Sequence, residues 1–362
     1  MKQLSKIVVL LCLLPMALFA TENPKFKGKY TKTKTLNKEY TVNANAALKV
    51  TNSYGNLDIV TWNENRTVIE VVITTNGNDE SKVQAKLDKI DVDFSGSASQ
   101  VTAKTLFGGK KNSSWSWWGK NNNVHMEVNY TIKLPIGNSV DLNNDYGAIN
   151  MNELNGNARI SCDYGQVNLG SLNADDNSLN FDYSKNSTIA YMKSGKINAD
   201  YSSFVLEDVG SLDLNADYTK SEVQQAMSIN YNNDYGKMIV GTVKDLIGRG
   251  DYIPLRLNTL TGNLNVNTDY GSVSVENATS TAGDITIDSS YAGISIEFAS
   301  GYNFDFNVDL TYASLRGEDG LEIEKQSKSN SRKSYSGYHG SKGSGNTVNI
   351  NSDYGGVTLE RN

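Results

Sequence analysis

A tyrosine returns along this chain at nearly constant spacing, and no other feature constrains the fold as much. It stands at Tyr146, Tyr164, Tyr183, Tyr201, Tyr218, Tyr235, Tyr252, Tyr270, Tyr291, Tyr312 and Tyr354. The steps are 18, 19, 18, 17, 17, 17, 18, 21, 21 and 42 residues, the last being twice 21. Each of the first eight follows an aspartate, and in seven of them a small residue comes next. Self-similarity at such a period marks a repeat architecture, in which each unit leans on its neighbours.

Numbered from its tyrosine, a unit carries apolar residues at −6 and −4, as in Val140 and Leu142 or Leu264 and Val266. Others stand at +3 and +5, as in Ile149 and Met151 or Phe204 and Leu206. Spacing by two is strand periodicity. Positions −6, −4, −2 and 0 share one parity and +3 and +5 the other, so the chain turns a corner between them. Inward parity at 0 places the tyrosine ring inside. The small residue that follows (Gly147, Gly165, Gly236, Gly271, Gly355) is expected to take the positive φ of the corner.

Two short strands cannot bury a core alone, but stacked units can. The expected fold is all-β: a right-handed parallel β-solenoid, a single-stranded β-helix, with a β-rich N-terminal cap. Eleven units at the ~4.8 Å strand spacing would span roughly 53 Å. An antiparallel meander would need hairpin turns between paired strands and would reverse alternate units. The constant order within the units argues against it.

Residues 1–20 read as a secretory signal. Lys2 and Lys6 precede an apolar run from Ile7 to Leu14, and cleavage is expected near Ala20. That run is too short to span a bilayer, and no other apolar run is long enough. Extracytoplasmic placement follows, in the periplasm or at the cell surface. Losing Lys2 and Lys6 takes the net charge from −6 to −8. An acidic chain without a basic stripe is a poor nucleic-acid ligand. Only Cys162 then remains, at an inward −2 position, so no intramolecular disulfide can form.

Residues 21–137 are expected to hold a lead-in, a first rung around Tyr54, and an excursion covering the N-terminal end. Strands are expected at Val68–Thr74, Ile90–Phe94, Gln100–Lys104 and Val124–Leu134, with a short helix at Ser81–Leu87. Solenoid ends need such caps, because unpaired strand edges invite aggregation. Residues 138–362 form the repeat region. The Ser-, Gly- and Lys-rich stretch Glu318–Asn346 is expected to be a disordered loop with His339 on it, after which Val348–Leu359 adds the last rung.

Ser53-Tyr54-Gly55, Trp62 shortly after it, the stretch Tyr130–Pro135 and the repeated Asp-Tyr-Gly rungs resemble the bacterial putative-adhesin family of secreted β-solenoid domains. The resemblance covers most of residues 40–362 and implies an envelope protein of unknown function. It brings no catalytic residues with it.

Four features are candidate sites. Trp115, Trp117 and Trp118, with Lys110, Lys111 and Lys120, lie in a polar loop (Phe107–Asn123). They either fold back on the repeats or contact a glycan, an envelope or surface protein, or a membrane surface. The aspartates before the tyrosines would either cap backbone N–H groups or hold a row of calcium ions. The tyrosines from Tyr146 to Tyr270 are expected to stack as a structural ladder; a sugar-binding strip would need exposed rings. Arg249-Gly250-Asp251 spells an integrin-type tripeptide, which chance explains. Two histidines, His125 and His339, have no metal-site spacing, and no nucleophile elbow or phosphate loop is present. No cofactor, metal or catalytic residue is expected. The reading is a non-catalytic adhesin-like or structural module of the envelope. The alternatives are a polysaccharide-acting lyase or hydrolase and a self-assembling structural protein.

Overall fold

The computed structural model describes residues 26–108 and 123–362. They are all-β, with a single α-helix, Glu80–Leu87, and 27 strands joined in one mixed sheet. Most pairings are parallel and bring equivalent positions of successive units side by side. Leu142 pairs with Ile160, Ile160 with Leu179, Ile197 with Leu214, and Leu214 with Tyr231. The second strand of each unit does the same, from Ile149–Val167 to Leu206–Val223 and Val223–Val240. A one-residue slip would turn every apolar side chain outward, so burial holds this register.

The corner differs from expectation in a physical way. The residue in the left-handed region is the tyrosine itself, at φ between 52° and 65° in all twelve units, Tyr54 included. The following glycines do not have positive φ. The left-handed step reverses parity one residue early, so −6, −4 and −2 point inward, the tyrosine outward, and +1, +3 and +5 inward. The rings from Tyr146 to Tyr354 are therefore 46–62 % exposed rather than inside. Glycine follows the tyrosine because the chain approaches itself there. A Cβ at Gly165 would overlap the Gly147 carbonyl oxygen, and one at Gly271 that of Ile253. Where a hydroxyl residue stands instead, it bridges units. Thr219 Oγ1 donates to Ala199 O at 2.7 Å and Ser202 Oγ to Phe181 O at 3.0 Å.

The core between the two ladders is mostly aliphatic, with buried aromatics such as Phe181, Phe204, Phe304 and Phe306 among them. Tyr231 fills a −4 position, its ring buried and its hydroxyl without a partner. Room for it comes from Gly248, its strand partner, where a Cβ would strike the Tyr231 ring.

Antiparallel pairing occurs towards both ends of the sheet. Tyr30–Thr41, Arg66–Gly77 and His125–Pro135 form one antiparallel set, and Ile90–Gly96 pairs with Gln100–Phe107. Gln100–Lys104 and Tyr130–Pro135 then lie parallel to the first rung, Ala47–Ser53 and Leu57–Trp62. The helix is capped by Asp79, which accepts from Lys82 N, and buries Val83 and Leu87.

Two expectations near the other end are corrected. Glu318–Asn346 is not a disordered loop. It holds a hairpin, Glu322–Lys328 with Arg332–His339, and the second strand pairs antiparallel with Phe304–Thr311. His339 sits in that strand, buried, with Nδ1 2.6 Å from Tyr302 O. Nor does the unit at Tyr354 end the ladder. Thr347–Asp353 pairs parallel with Ile285–Ser290 on one side and Phe304–Thr311 on the other. Val357–Arg361 likewise lies between Gly293–Phe298 and Leu315–Arg316. The last unit in sequence is thus inserted between the two before it.

A non-glycine residue in the left-handed region costs about 1–2 kcal/mol. An aromatic contact returns about 0.5–1.5 kcal/mol and a main-chain hydrogen bond a similar net amount. Alanine would keep that cost and lose the stack. Tyr201→Ala should therefore lower stability more than Tyr201→Gly, by about 1 kcal/mol in denaturant unfolding. Gly248→Ala should destabilise by about 1–3 kcal/mol, because Tyr231 cannot move out of a close-packed interior.

Candidate functional surface

Outward tyrosines in register make a continuous row. Twelve rings stack in the order Tyr54, Tyr146, Tyr164, Tyr183, Tyr201, Tyr218, Tyr235, Tyr252, Tyr270, Tyr291, Tyr354, Tyr312. Neighbouring centroids are 4.7–5.2 Å apart and the planes differ by 1–12°. Phe107 closes the Tyr54 end edge-on, with centroids 5.9 Å apart. Tyr312, at the other end, is the most exposed ring. Main-chain bonds set the repeat. Each of these tyrosines but the last donates its N–H to the carbonyl just before the next tyrosine in the row, as Tyr146 does to Asp163 at 2.9 Å and Tyr354 to Thr311 at 2.8 Å, while Tyr312 donates to Ser331 O at 2.7 Å.

This geometry decides what the row can hold. Sugar stacking needs a free ring face. Here the faces are taken by neighbouring rings, and what remains open is ring edge and hydroxyl.

The aspartates form a second row beside the first. The carboxylates of Asp163, Asp182, Asp200, Asp217, Asp234 and Asp269 each accept from the backbone N–H of the equivalent residue one unit on, not from their own corner. Asp182 takes the N–H of Asp200 at 3.0 Å, Asp200 that of Asp217 at 3.1 Å, and Asp234 that of Asp251 at 2.7 Å. Asp269 does the same for Ser290 at 3.1 Å. Among the described residues these aspartates form no ion pair, and no group of His, Cys, Asp or Glu could hold a metal ion. A third row carries side-chain amides. Asn215 Nδ2 donates to Asn198 Oδ1 at 3.1 Å, and Asn351 Nδ2 to Asp288 Oδ1 at 2.7 Å. The surface beside the tyrosines is therefore an array of acceptors and hydroxyls repeating at the strand spacing.

Charge is distributed unevenly. Residues 139–317 hold 23 acidic and 10 basic residues, a net −13, whereas residues 26–138 hold 10 acidic and 15 basic, a net +5.

The other candidates fall as follows. Trp115, Trp117, Trp118, Lys110, Lys111 and Lys120 lie outside the described residues. Arg249-Gly250-Asp251 is not displayed on a loop but ends the strand Lys237–Asp251, with Asp251 in the aspartate row. Cys162 is fully buried, and burial pushes its thiol up to about 12. His125 lies exposed at the start of a strand. The amide row, absent from the sequence candidates, could have been found by aligning the −3 positions Asn180, Asn198, Asn215 and Asn232.

Burial first, and then neighbouring tyrosines, raise the hydroxyl pKa of Tyr164, Tyr201, Tyr235 and Tyr354. A phenol whose folded pKa is raised stabilises fully below its unfolded value, about 10. Above that pH the unfolded chain ionises first, so stability should fall as pH rises beyond about 10. Thermal unfolding with phenolate absorbance should show ionisation and melting together. Calcium titration should leave the melting temperature unmoved, because the carboxylates already serve the backbone.

No family model and no curated protein matches this chain. Among solved structures it is similar to a putative cell adhesion protein from Clostridium sporogenes, at 12 % identity over 91 % of this chain and 100 % of that one, with a TM-score of 0.17. It is also similar to putative adhesins from Parabacteroides distasonis (10 % identity, 91 % and 97 % covered, TM-score 0.33) and Parabacteroides merdae (11 %, 90 % and 96 %, 0.34). These three carry the names of putative adhesins or a putative cell adhesion protein, and at these identities and TM-scores the likeness carries no argument about what this chain does.

Proposed function

We propose that the two parallel ladders are the faces of one right-handed parallel β-solenoid, and that it serves as a non-catalytic, adhesin-like binding module outside the cytoplasm. In-register pairing over both strands of each unit supports the fold. The general preference of parallel strands for right-handed crossovers favours that hand. The signal-like residues 1–20 support export.

The observation that carries the binding role is the ordered, half-exposed row of tyrosines beside a row of aspartates that form no ion pair among the described residues. A continuous row of half-exposed rings is more than the scattered aromatic exposure of an ordinary surface and marks an interaction site. An extended partner with repeated hydroxyl or amino groups, such as a linear glycan, would meet hydroxyls and carboxylates at each rung. The tryptophan loop is proposed as a second contact. End-to-end self-assembly is disfavoured by the strand Glu322–Lys328. It pairs on one side only and carries Glu322, Glu324, Lys325 and Lys328, which blunt an edge against addition.

A glycan array tests the reading, with the triple variant Asp200→Asn, Asp217→Asn and Asp234→Asn as control. The amide oxygen keeps the backbone acceptor and removes the charge. Retention of a linear glycan, weakened at least several-fold in the variant at unchanged melting temperature, is the expected result. No retained glycan, equal binding by the variant, or release of shortened products from a polysaccharide would contradict it.

A further inference from the structure

The tyrosine row ends differently at its two ends. At Tyr54 the terminal ring is met edge-on by Phe107. At the other end Tyr312 stacks on Tyr354 through one face, and no ring covers its other face among the described residues. Tyr312 is 62 % exposed, against 46–53 % for the rings from Tyr146 to Tyr354 in the row. It therefore offers what the inner rings lack, a free face on which a sugar ring can lie.

Charge changes sign at the same place. Thr311 stands where most units carry an aspartate before the tyrosine, and its antiparallel partner is Arg332. The row's last aspartate, Asp353, lies one rung back, paired with Thr311. The tip of the hairpin is held at the terminal ring. Tyr312 donates its N–H to Ser331 O at 2.7 Å, and Lys333 Nζ donates to Ala313 O at 3.1 Å. From 325 to 342 the chain carries five Lys and Arg and no Asp or Glu, beside a repeat region of net −13. A cleft of about 500 Å³ opens at this junction, lined by Tyr312, Ser314, Arg316, Asn330, Ser331 and Lys333 among others. That is within the range of small-molecule sites, about 300–1,000 Å³. Arg316 is exposed and forms no ion pair among the described residues.

Resting on the glycan reading for the class of partner, we infer that this cleft is an end subsite for a sugar carrying a carboxylate, such as a hexuronate. The sugar ring lies on the free face of Tyr312. Its carboxylate meets the planar guanidinium of Arg316, whose paired N–H groups match two carboxylate oxygens, and the Lys333 ammonium adds a second positive charge. Ser314, Asn330 and Ser331 line the same cleft and supply donors and acceptors for sugar hydroxyls. Behind the cleft the row carries Asp353 and then the aspartates from Asp269 back to Asp145, which repel a second carboxylate. Recognition therefore favours a glycan with its acidic sugar at one end and neutral or amino-bearing sugars along the row.

Ligand-observed NMR titration of the full chain tests this with three single-ring probes: methyl glucuronide, methyl glucoside and glucose 6-sulfate. Methyl glucuronide should bind several-fold more tightly than methyl glucoside. Arg316→Gln, a change at an exposed position, should abolish that difference and leave methyl glucoside binding unaltered. Tyr312→Gly, which suits the left-handed corner, should weaken both sugars. The triple variant Asp200→Asn, Asp217→Asn and Asp234→Asn should bind methyl glucuronide as the unsubstituted chain does, since Asp234 lies five rungs from Tyr312. Methyl glucuronide held no more tightly than methyl glucoside, or unaffected by Arg316→Gln, would overturn the inference. Tighter binding of glucose 6-sulfate would overturn the carboxylate. Failure of the subsite and failure of the row are separable. A neutral glycan retained on the array without a glucuronide preference here leaves the row and removes the subsite. An empty array with Arg316-dependent glucuronide binding leaves the subsite and removes the row.

Discussion

The structure depends on main-chain hydrogen bonds made in register between one unit and the next, across a corner that a tyrosine holds in the left-handed region. Each such bond is worth little net. Repetition makes it decisive, because the same register serves the aliphatic core, the ring stack, the aspartate row and the amide row together. Shifting one unit by a residue would break all four. The tyrosine accepts an unfavourable backbone conformation, and stacking with its neighbours offsets it. Glycine would fit the corner without strain, yet it would give the ladder no ring.

From that corner the surface chemistry follows. Turning the tyrosine outward leaves the core to side chains at −6 to −2, +1 to +5 and +8. It also sets a ring edge and hydroxyl on the surface at each unit, with a carboxylate beside it. The row was expected inside the protein, and its exposure moves it from a purely structural part to the leading candidate for binding. The stack fixes what kind of binding is open to it, since occupied ring faces leave polar edges for a partner.

The period, the strand pairs and the N-terminal excursion were legible because apolar residues two apart and a fixed repeat length report burial directly. Three things were not. A left-handed bulky aromatic contradicts the usual reading of a Tyr-Gly pair, so glycine was expected at the turn. The hairpin Glu322–His339 hides behind Ser, Lys and Gly; only Ile323, Tyr335 and His339 mark its inward face. The 42-residue step from Tyr312 to Tyr354 identified two members of one ladder but not their spatial order. Repeats that share one pattern fit any slot, and only the pairing of Thr347–Asp353 on both sides shows which slot is used. At the surface, the tyrosine and aspartate rows were legible as rows. The amide row was missed because asparagine in a turn-rich chain reads as loop composition.

The central claim is that spatial order is set by rungs one strand spacing apart, not by position in the chain. Distances from a spin label at Asn198 to one at Asn351 or at Asp309 test it most directly, all three being −3 positions of their units. The account predicts about 29 Å to Asn351 and about 34 Å to Asp309, six and seven strand spacings away. A label at Asp309 nearer to Asn198 than one at Asn351 would contradict it, as would two distances that do not differ by a strand spacing.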